Sequence, residues 1–183
     1  GGKELTLAVN LSSRQLVDPT LIESVRSILA ESGLAPGQLS LEITESAIIE
    51  NQGTAADVLS RLRDLSVGIH VDDFGTGYSS LSYLHRFPVD VLKIDRSFTA
   101  SLSRDHGDHE IVRTIITLAG SLRLRVIAEG VETSEQATIL RELACDYGQG
   151  YWFSHPLPAP AAGALLNKPM PWPVPEARPA NLA

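Results

Sequence analysis

The sequence holds a single cysteine, Cys145, among 183 residues. No disulfide can therefore form within the chain, and a lone thiol fits a reducing compartment. No apolar run approaches the ~20 residues that a membrane-spanning helix needs. The opening Gly1-Gly2-Lys3-Glu4 lacks the layout of a secretory leader. The expected place is the cytoplasm, free or as the cytoplasmic part of a membrane-anchored parent. Basic residues are also scarce, with 15 Lys and Arg against 22 Asp and Glu, a formal charge of −7. Duplex DNA is gripped largely through Lys and Arg on phosphates, so nonspecific DNA binding is disfavoured. A phosphate-bearing ligand would need metal ions to offset the surrounding acid. What is present is a 43% hydrophobic content, that of a globular chain, and enough length for one domain with a real core.

Apolar spacing alternates between two periods. Residues 5–10 read as a short buried strand ending in a polar residue, 20–32 as a helix with Leu21, Ile22, Val25, Ile28 and Leu29 on one face, and Gly33 as its C-cap. Residues 39–44 are the next strand and 55–65 the next helix, with Val58, Leu59, Leu62 and Leu65 inward. A strand over 67–71 follows. Residues 89–95 form a fourth strand. A polar loop spans 103–108, and a helix over 110–122 buries Ile111, Ile115, Leu118 and Leu122. A fifth strand covers 124–129. Thr133-Ser134-Glu135-Gln136 has the form of a capping box, so a helix starts there and runs to about Leu143. A sixth strand lies within 145–153, and a short helix covers 159–166. The tail over 168–183, with five prolines, reads as an extended linker or disordered end. Strand–helix alternation argues a parallel α/β fold, either a closed (β/α)₈ barrel or an open doubly wound sheet. Ligands bind at the C-terminal strand ends in both.

The central stretch is Val71-Asp72-Asp73-Phe74-Gly75-Thr76-Gly77-Tyr78-Ser79-Ser80. Adjacent strand residues point to opposite faces, so Asp72 and Asp73 diverge unless the backbone turns, which Gly75 and Gly77 allow. The pair suits hard, oxygen-seeking cations, one carboxylate bridging two of them. A plainer reading is a strand–turn–helix junction in which Asp73 or Thr76 caps a helix that includes Leu81, Tyr83 and Leu84. The other strand ends weigh against it. Asn10, Glu42, Asp72 with Asp73, Lys93, Glu129 and Gln149 place a polar or ionisable group at or beside every end. Several buried carboxylates need a counter-charge, and one lysine cannot neutralise them all. Oxygen donors without His or Cys favour Mg²⁺ or Mn²⁺ over zinc. His70 and His85 fall off this pattern and read as structural or exposed.

These segments resemble the EAL domain family, the cyclic-di-GMP phosphodiesterases. The resemblance is carried by Val9-Asn10-Leu11-Ser12, Leu41-Glu42-Ile43-Thr44-Glu45-Ser46, Asp72 to Leu81, Leu92-Lys93-Ile94-Asp95-Arg96-Ser97-Phe98, Ala128-Glu129-Gly130-Val131-Glu132-Thr133 and Gln149-Gly150-Tyr151. It implies a TIM-like barrel, here incomplete with about six strand–helix units over residues 1–167. It also implies hydrolysis of cyclic-di-GMP to linear pGpG with two Mg²⁺ or Mn²⁺ ions. By the same resemblance Asn10, Glu42 and Asp72 hold one metal. Asp72 bridges to the second, and Asp73 helps to hold it. Lys93 contacts the attacking water or the phosphate. Glu129 acts as general base or positions water, and Gln149 sits near the metal-bound water. Glu132 and Thr76 steady the loop after Asp73.

The family's Glu-x-Leu strand is absent, and the chain opens at the strand that normally comes third. The expectation is a fragment of a longer protein with sensory or GGDEF domains upstream; a natural truncation or exchange between two chains would also fit. As written, the chain leaves the edges over 5–10 and 149–153 apolar and unpaired. The family also makes a homodimer plausible. The competing functional class is a binding module that senses cyclic-di-GMP or a protein partner without turnover.

Overall fold

The computed structural model describes residues 5–77, 84, 86–102 and 106–166. The expected tail over 168–183, His85, and the loop positions Tyr78, Ser79 and Ser80 lie outside the described residues, as do Leu81 and Tyr83. Six strands are present: β1 Leu7–Asn10, β2 Leu39–Thr44, β3 Gly68–Phe74, β4 Val91–Ile94, β5 Arg125–Ala128 and β6 Tyr147–Gly148. The helices are α1 Ser13–Leu16, α2 Leu21–Ser32, α3 Glu45–Glu50, α4 Gln52–Asp64, α5 Arg96–Ala100, α6 His106–Ser121, α7 Ser134–Glu142 and α8 Ala159–Leu166.

Every pairing is parallel, and the order across the sheet is the order along the chain. Parallel crossovers are right-handed. With no reversal of strand order, they put all the crossover helices on one face and leave the other face concave. A doubly wound sheet reverses its order partway, so this sheet is part of a TIM-like barrel. β1 and β6 are its two outer strands.

Alternation along the strands separates two environments. Leu39, Leu41, Ile43, Ile69 and Val71 are buried toward the helices. Ser40, Gly68, His70 and Val91 line a groove of about 1030 Å³ on the concave side. Val25 and Leu29 of α2, Leu59 and Leu62 of α4, and Leu140 of α7 close the apolar layer.

Several elements depart from expectation. β1 is exposed along its length and not buried, with Leu7 and Val9 open to solvent, because it is an outer strand covered on one edge only. Helix α2 ends as foreseen, with Gly33 left-handed at φ 67, but Ile28 is exposed at the margin of its stripe. On α6 the buried stripe is Val112, Ile115 and Ala119, and Ile111 is exposed. The helix turns by one position, so the smaller Ala119 is what meets the sheet. Part of the expected 103–108 loop is already helix, since α6 begins at His106. Helices α1, α3 and α5 are short pieces whose caps are Ser12, Thr44 and Asp95. They are too brief to show a period in sequence. The sixth strand is only two residues long. Beyond it Val131 N–H donates to Gln149 O and Trp152 N–H to Val131 O, so the chain hooks over the loop after β5 instead of following its edge. The capping box at Thr133 and Gln136 is present as read.

Gly130 joins β5 to that loop at φ 65, where an added Cβ would lie 2.5 Å from Arg96 Cβ and 3.3 Å from Arg96 Cα. Gly130→Ala is expected to lower stability by more than ~1 kcal/mol, since both the backbone region and the space exclude a methyl. Urea denaturation checks this; an unchanged midpoint would show that the turn is not left-handed.

Candidate active site

The two aspartates reach one pocket through a β-bulge. Val71 pairs with Leu92 and Phe74 with Ile94, with a register shift between them. Two residues, Asp72 and Asp73, thus stand against the single Lys93, the two-against-one count of a bulge. The backbone turns at Asp73 itself, at φ 54, with Gly75 following at φ 96. The turn expected from the glycines alone begins two residues earlier, before Gly75. It keeps Phe74 buried among the helices while both carboxylates stay on the concave side. Asp73 N–H donates to Asp72 Oδ1 at 3.1 Å. The hydroxyl of Thr76 donates to Asp73 O at 2.9 Å, which closes the turn.

Lys93 is the centre of the set. Its side chain is 2% exposed, and its Nζ lies 2.7 Å from Glu42 Oε2, 3.0 Å from Asp72 Oδ1 and 2.7 Å from Glu129 Oε1. These acids come from β2, β3 and the residue just after β5. Burial works against the ammonium, but hydrogen bonds and charge from the three carboxylates outweigh it and raise Lys93 above its ordinary value. Burial also pushes Glu42 up, yet His70 and Lys93 together hold it below the ordinary carboxylate value. For Glu129 burial wins over Lys93, and its carboxyl is raised. Asp73 is raised by burial first and then by the negative charge of Asp72 and Asp95.

One oxygen from each of Asp72, Asp73 and Glu129 lies within 4.8 Å of the others. Asp72, Asp73 and Glu129, with one ammonium shared by Asp72, Glu129 and Glu42, leave net negative charge in a partly dry place. That donor chemistry fits a divalent cation of the Mg²⁺ or Mn²⁺ kind. Asn10 sits at the end of β1 in register with Glu42, and Leu11 N–H ties the strand end to Glu42 O at 2.8 Å. Gln149 follows β6, anchored by its N–H to Ala128 O at 2.8 Å, with its side chain exposed. Glu132 is exposed on the loop before α7, where its N–H donates to Gln136 Oε1. No described residue pairs with its carboxylate.

Sequence reasoning missed Glu45. It is 2% exposed at the first turn of α3, and its Oε2 accepts the Gly75 N–H at 3.2 Å. A Cβ on Gly77 would lie 3.9 Å from the same carboxylate. Glu45 thus sits beneath the loop that carries Asp73. The available signal was Thr44 at the strand end followed by Ala47 and Ile48, a cap and the start of a short helix. His70 also has a larger part than foreseen: it pairs in register with Glu42.

A fold with its strand ends so charged defines a class, and the chain belongs to the EAL domain family, which matches residues 1–156. It is 46% identical over 167 residues to the cyclic di-GMP phosphodiesterase NbdA of Pseudomonas aeruginosa, covering 91% of this chain and 21% of NbdA. Among solved structures, the PaMucR phosphodiesterase in complex with c-di-GMP superposes with a TM-score of 0.83 at 43% identity, covering 86% of this chain and 64% of that one. Klebsiella pneumoniae BlrP1, in a manganese and cyclic-di-GMP complex, superposes with a TM-score of 0.78 at 32% identity, covering 84% and 39%. The chain spans about a fifth to a quarter of the curated relatives it matches. No helix among the described residues is long and apolar enough to cross a membrane.

Lys93→Met should cost about 3–5 kcal/mol, the range for breaking a buried pair. Without the ammonium, the clustered acids are left as uncompensated buried charge, which protonation relieves. Stability is then recovered as pH falls and lost as pH rises. Denaturation midpoints of the variant across pH check this; a loss that does not shrink on acidification would mean that Lys93 does not hold the acids.

Proposed function

We propose that this chain carries the site of a metal-dependent phosphodiesterase that opens cyclic-di-GMP to linear pGpG in bacterial second-messenger signalling. The observation that carries the reading is Lys93 bonded to carboxylates from three separate chain segments beside the Asp72, Asp73 and Glu129 set. Family membership and relatives named as phosphodiesterases support the substrate class.

Asn10, Glu42, Asp72 and Asp73 would hold two Mg²⁺ or Mn²⁺ ions, which supply water activation and neutralise charge on the phosphodiester. Lys93 brings its Nζ–H groups to the attacking water or a phosphate oxygen. Glu129 takes the proton at its carboxylate, since its raised value suits a base more than that of an ordinary exposed acid would. Gln149 offers its exposed amide at the mouth, where it can orient water. Thr76 and Glu45 keep Asp73 in its turned conformation. Glu132 is proposed to support the same loop from the β5–α7 side.

The protein should release pGpG from cyclic-di-GMP in the presence of Mn²⁺, and Asp72→Ala should lower turnover by at least ~10³-fold, because one side chain serves both ions. Chromatography of the nucleotide products checks both. Full activity in Asp72→Ala would end the bridging assignment. Tight dinucleotide binding without turnover in the unmodified protein would mark a binding module instead.

Metal uptake should also depend on acid in a definite direction. Asp73 has a value raised above 3.8, and it must be ionised to serve as a ligand. Mn²⁺ affinity is therefore expected to be full at neutral pH and to fall before pH reaches 3.8, the ordinary value of Asp73. Calorimetric titration at stepped pH reads this; constant affinity down to that point would contradict it.

A further inference from the structure

His70 stands two residues before Asp72 on the concave face of β3. It pairs in register with Glu42 on one side and with Val91 on the other. Its side chain is 12% exposed and that of Glu42 is 11% exposed. The Nδ1 atom is buried and has no hydrogen-bond partner among the described residues. Glu42 Oε1 lies 3.8 Å from it, while the other carboxylate oxygen, Oε2, is bonded to Lys93 at 2.7 Å. Below His70 on the same face, Gly68 offers no side chain, and Val91 beside it is apolar. The one acceptor facing the buried Nδ1 from the two neighbouring strands at this level is thus the free oxygen of Glu42. A buried donor left unpaired is costly, and an imidazole used only as filler would not need a nitrogen at this spot.

We infer that His70 is a positioning residue for Glu42: its Nδ1–H steadies the Oε1 side of the carboxylate while Lys93 holds the Oε2 side. The carboxylate then meets a divalent cation in one orientation. This rests on the reading of Glu42 as a metal ligand. Ligand-orienting partners of this kind are worth roughly 10- to 100-fold in metal affinity.

The test uses Mn²⁺ alone as probe, with free Mn²⁺ followed by electron paramagnetic resonance. His70→Leu keeps apolar bulk and removes the donor. It should weaken Mn²⁺ binding by roughly 10- to 100-fold without moving the metal-free denaturation midpoint to match. His70→Asn, whose amide N–H stands close to the Nδ1 position, should recover most of the loss. Affinity within about twofold of the unmodified protein in His70→Leu would overturn the inference, as would an Asn variant no better than Leu. A second readout needs no variant: nitrogen-15 spectra of the metal-free protein should show the proton on Nδ1, and a bare Nδ1 would also overturn it. Failure of the unmodified protein to take up Mn²⁺ at all would instead overturn the metal reading itself.

Discussion

One ammonium among carboxylates sets the terms for the rest of the molecule. Lys93 lies on a strand buried on both faces, and its head group is almost out of solvent. A lone charge there would be prohibitively expensive. Glu42, Asp72 and Glu129 make it tolerable by meeting it from three sides. The same contacts leave the acids in excess of the base. The cluster keeps an excess of negative charge on its oxygen donors, a chemistry suited to a hard cation. Structural need and chemical capacity have the same source: too many acids gathered around too little positive charge.

Gathering the acids takes backbone distortion. An unbroken strand would have sent Asp73 to the helix side, into the apolar layer beside Val71, and turned Phe74 to the concave face. The bulge prevents this by placing Asp73 in the left-handed region, which costs of order 1–3 kcal/mol for a residue other than glycine. The surroundings hold it there. Thr76 closes the turn from above, and buried Glu45 receives the Gly75 N–H from below. Strain at Asp73 is thus maintained by a carboxylate from the neighbouring strand–helix unit, so α3 belongs functionally to the site.

This explains what could and could not be read from the sequence. Glu42, Asp72, Lys93 and Glu129 were legible because each interrupts or ends an apolar run at a position where parallel α/β folds place ligands. Their convergence needed only the rule that strand ends meet. The choice of barrel over open sheet needed strand order, which no local pattern encodes. Glu45 was hidden because its role is long-range: its partner is Gly75, thirty residues on. His70 was set aside because its neighbour across the sheet is fixed by register, and register is a property of the pairing. The shortness of β6 was hidden in Gly150, where a Cβ would come within 2.3 Å of Val131 backbone atoms. Such a close approach is invisible until the two segments are brought together.

Register in turn is fixed at the opposite end of the sheet. Asp90, just before β4, accepts the Ile69 N–H of β3 at 2.9 Å. Asp146, just before β6, accepts the Val126 N–H of β5 at 2.9 Å. The device is the same in both places: an acid at the entry to one strand takes the first free donor of its neighbour. Asp90 is braced further by Arg63 at the end of α4, 3.2 Å away. A slip of one residue would send each concave-facing side chain to the helix layer, so Lys93 would exchange places with Leu92 or Ile94. The placement of acids around Lys93 therefore depends on two other acids that never approach it. An aspartate at the lower rim and an aspartate at the upper rim do different work with the same chemistry: one accepts a backbone N–H and locks the register, and the other, in a register so locked, is left with oxygen to offer a cation.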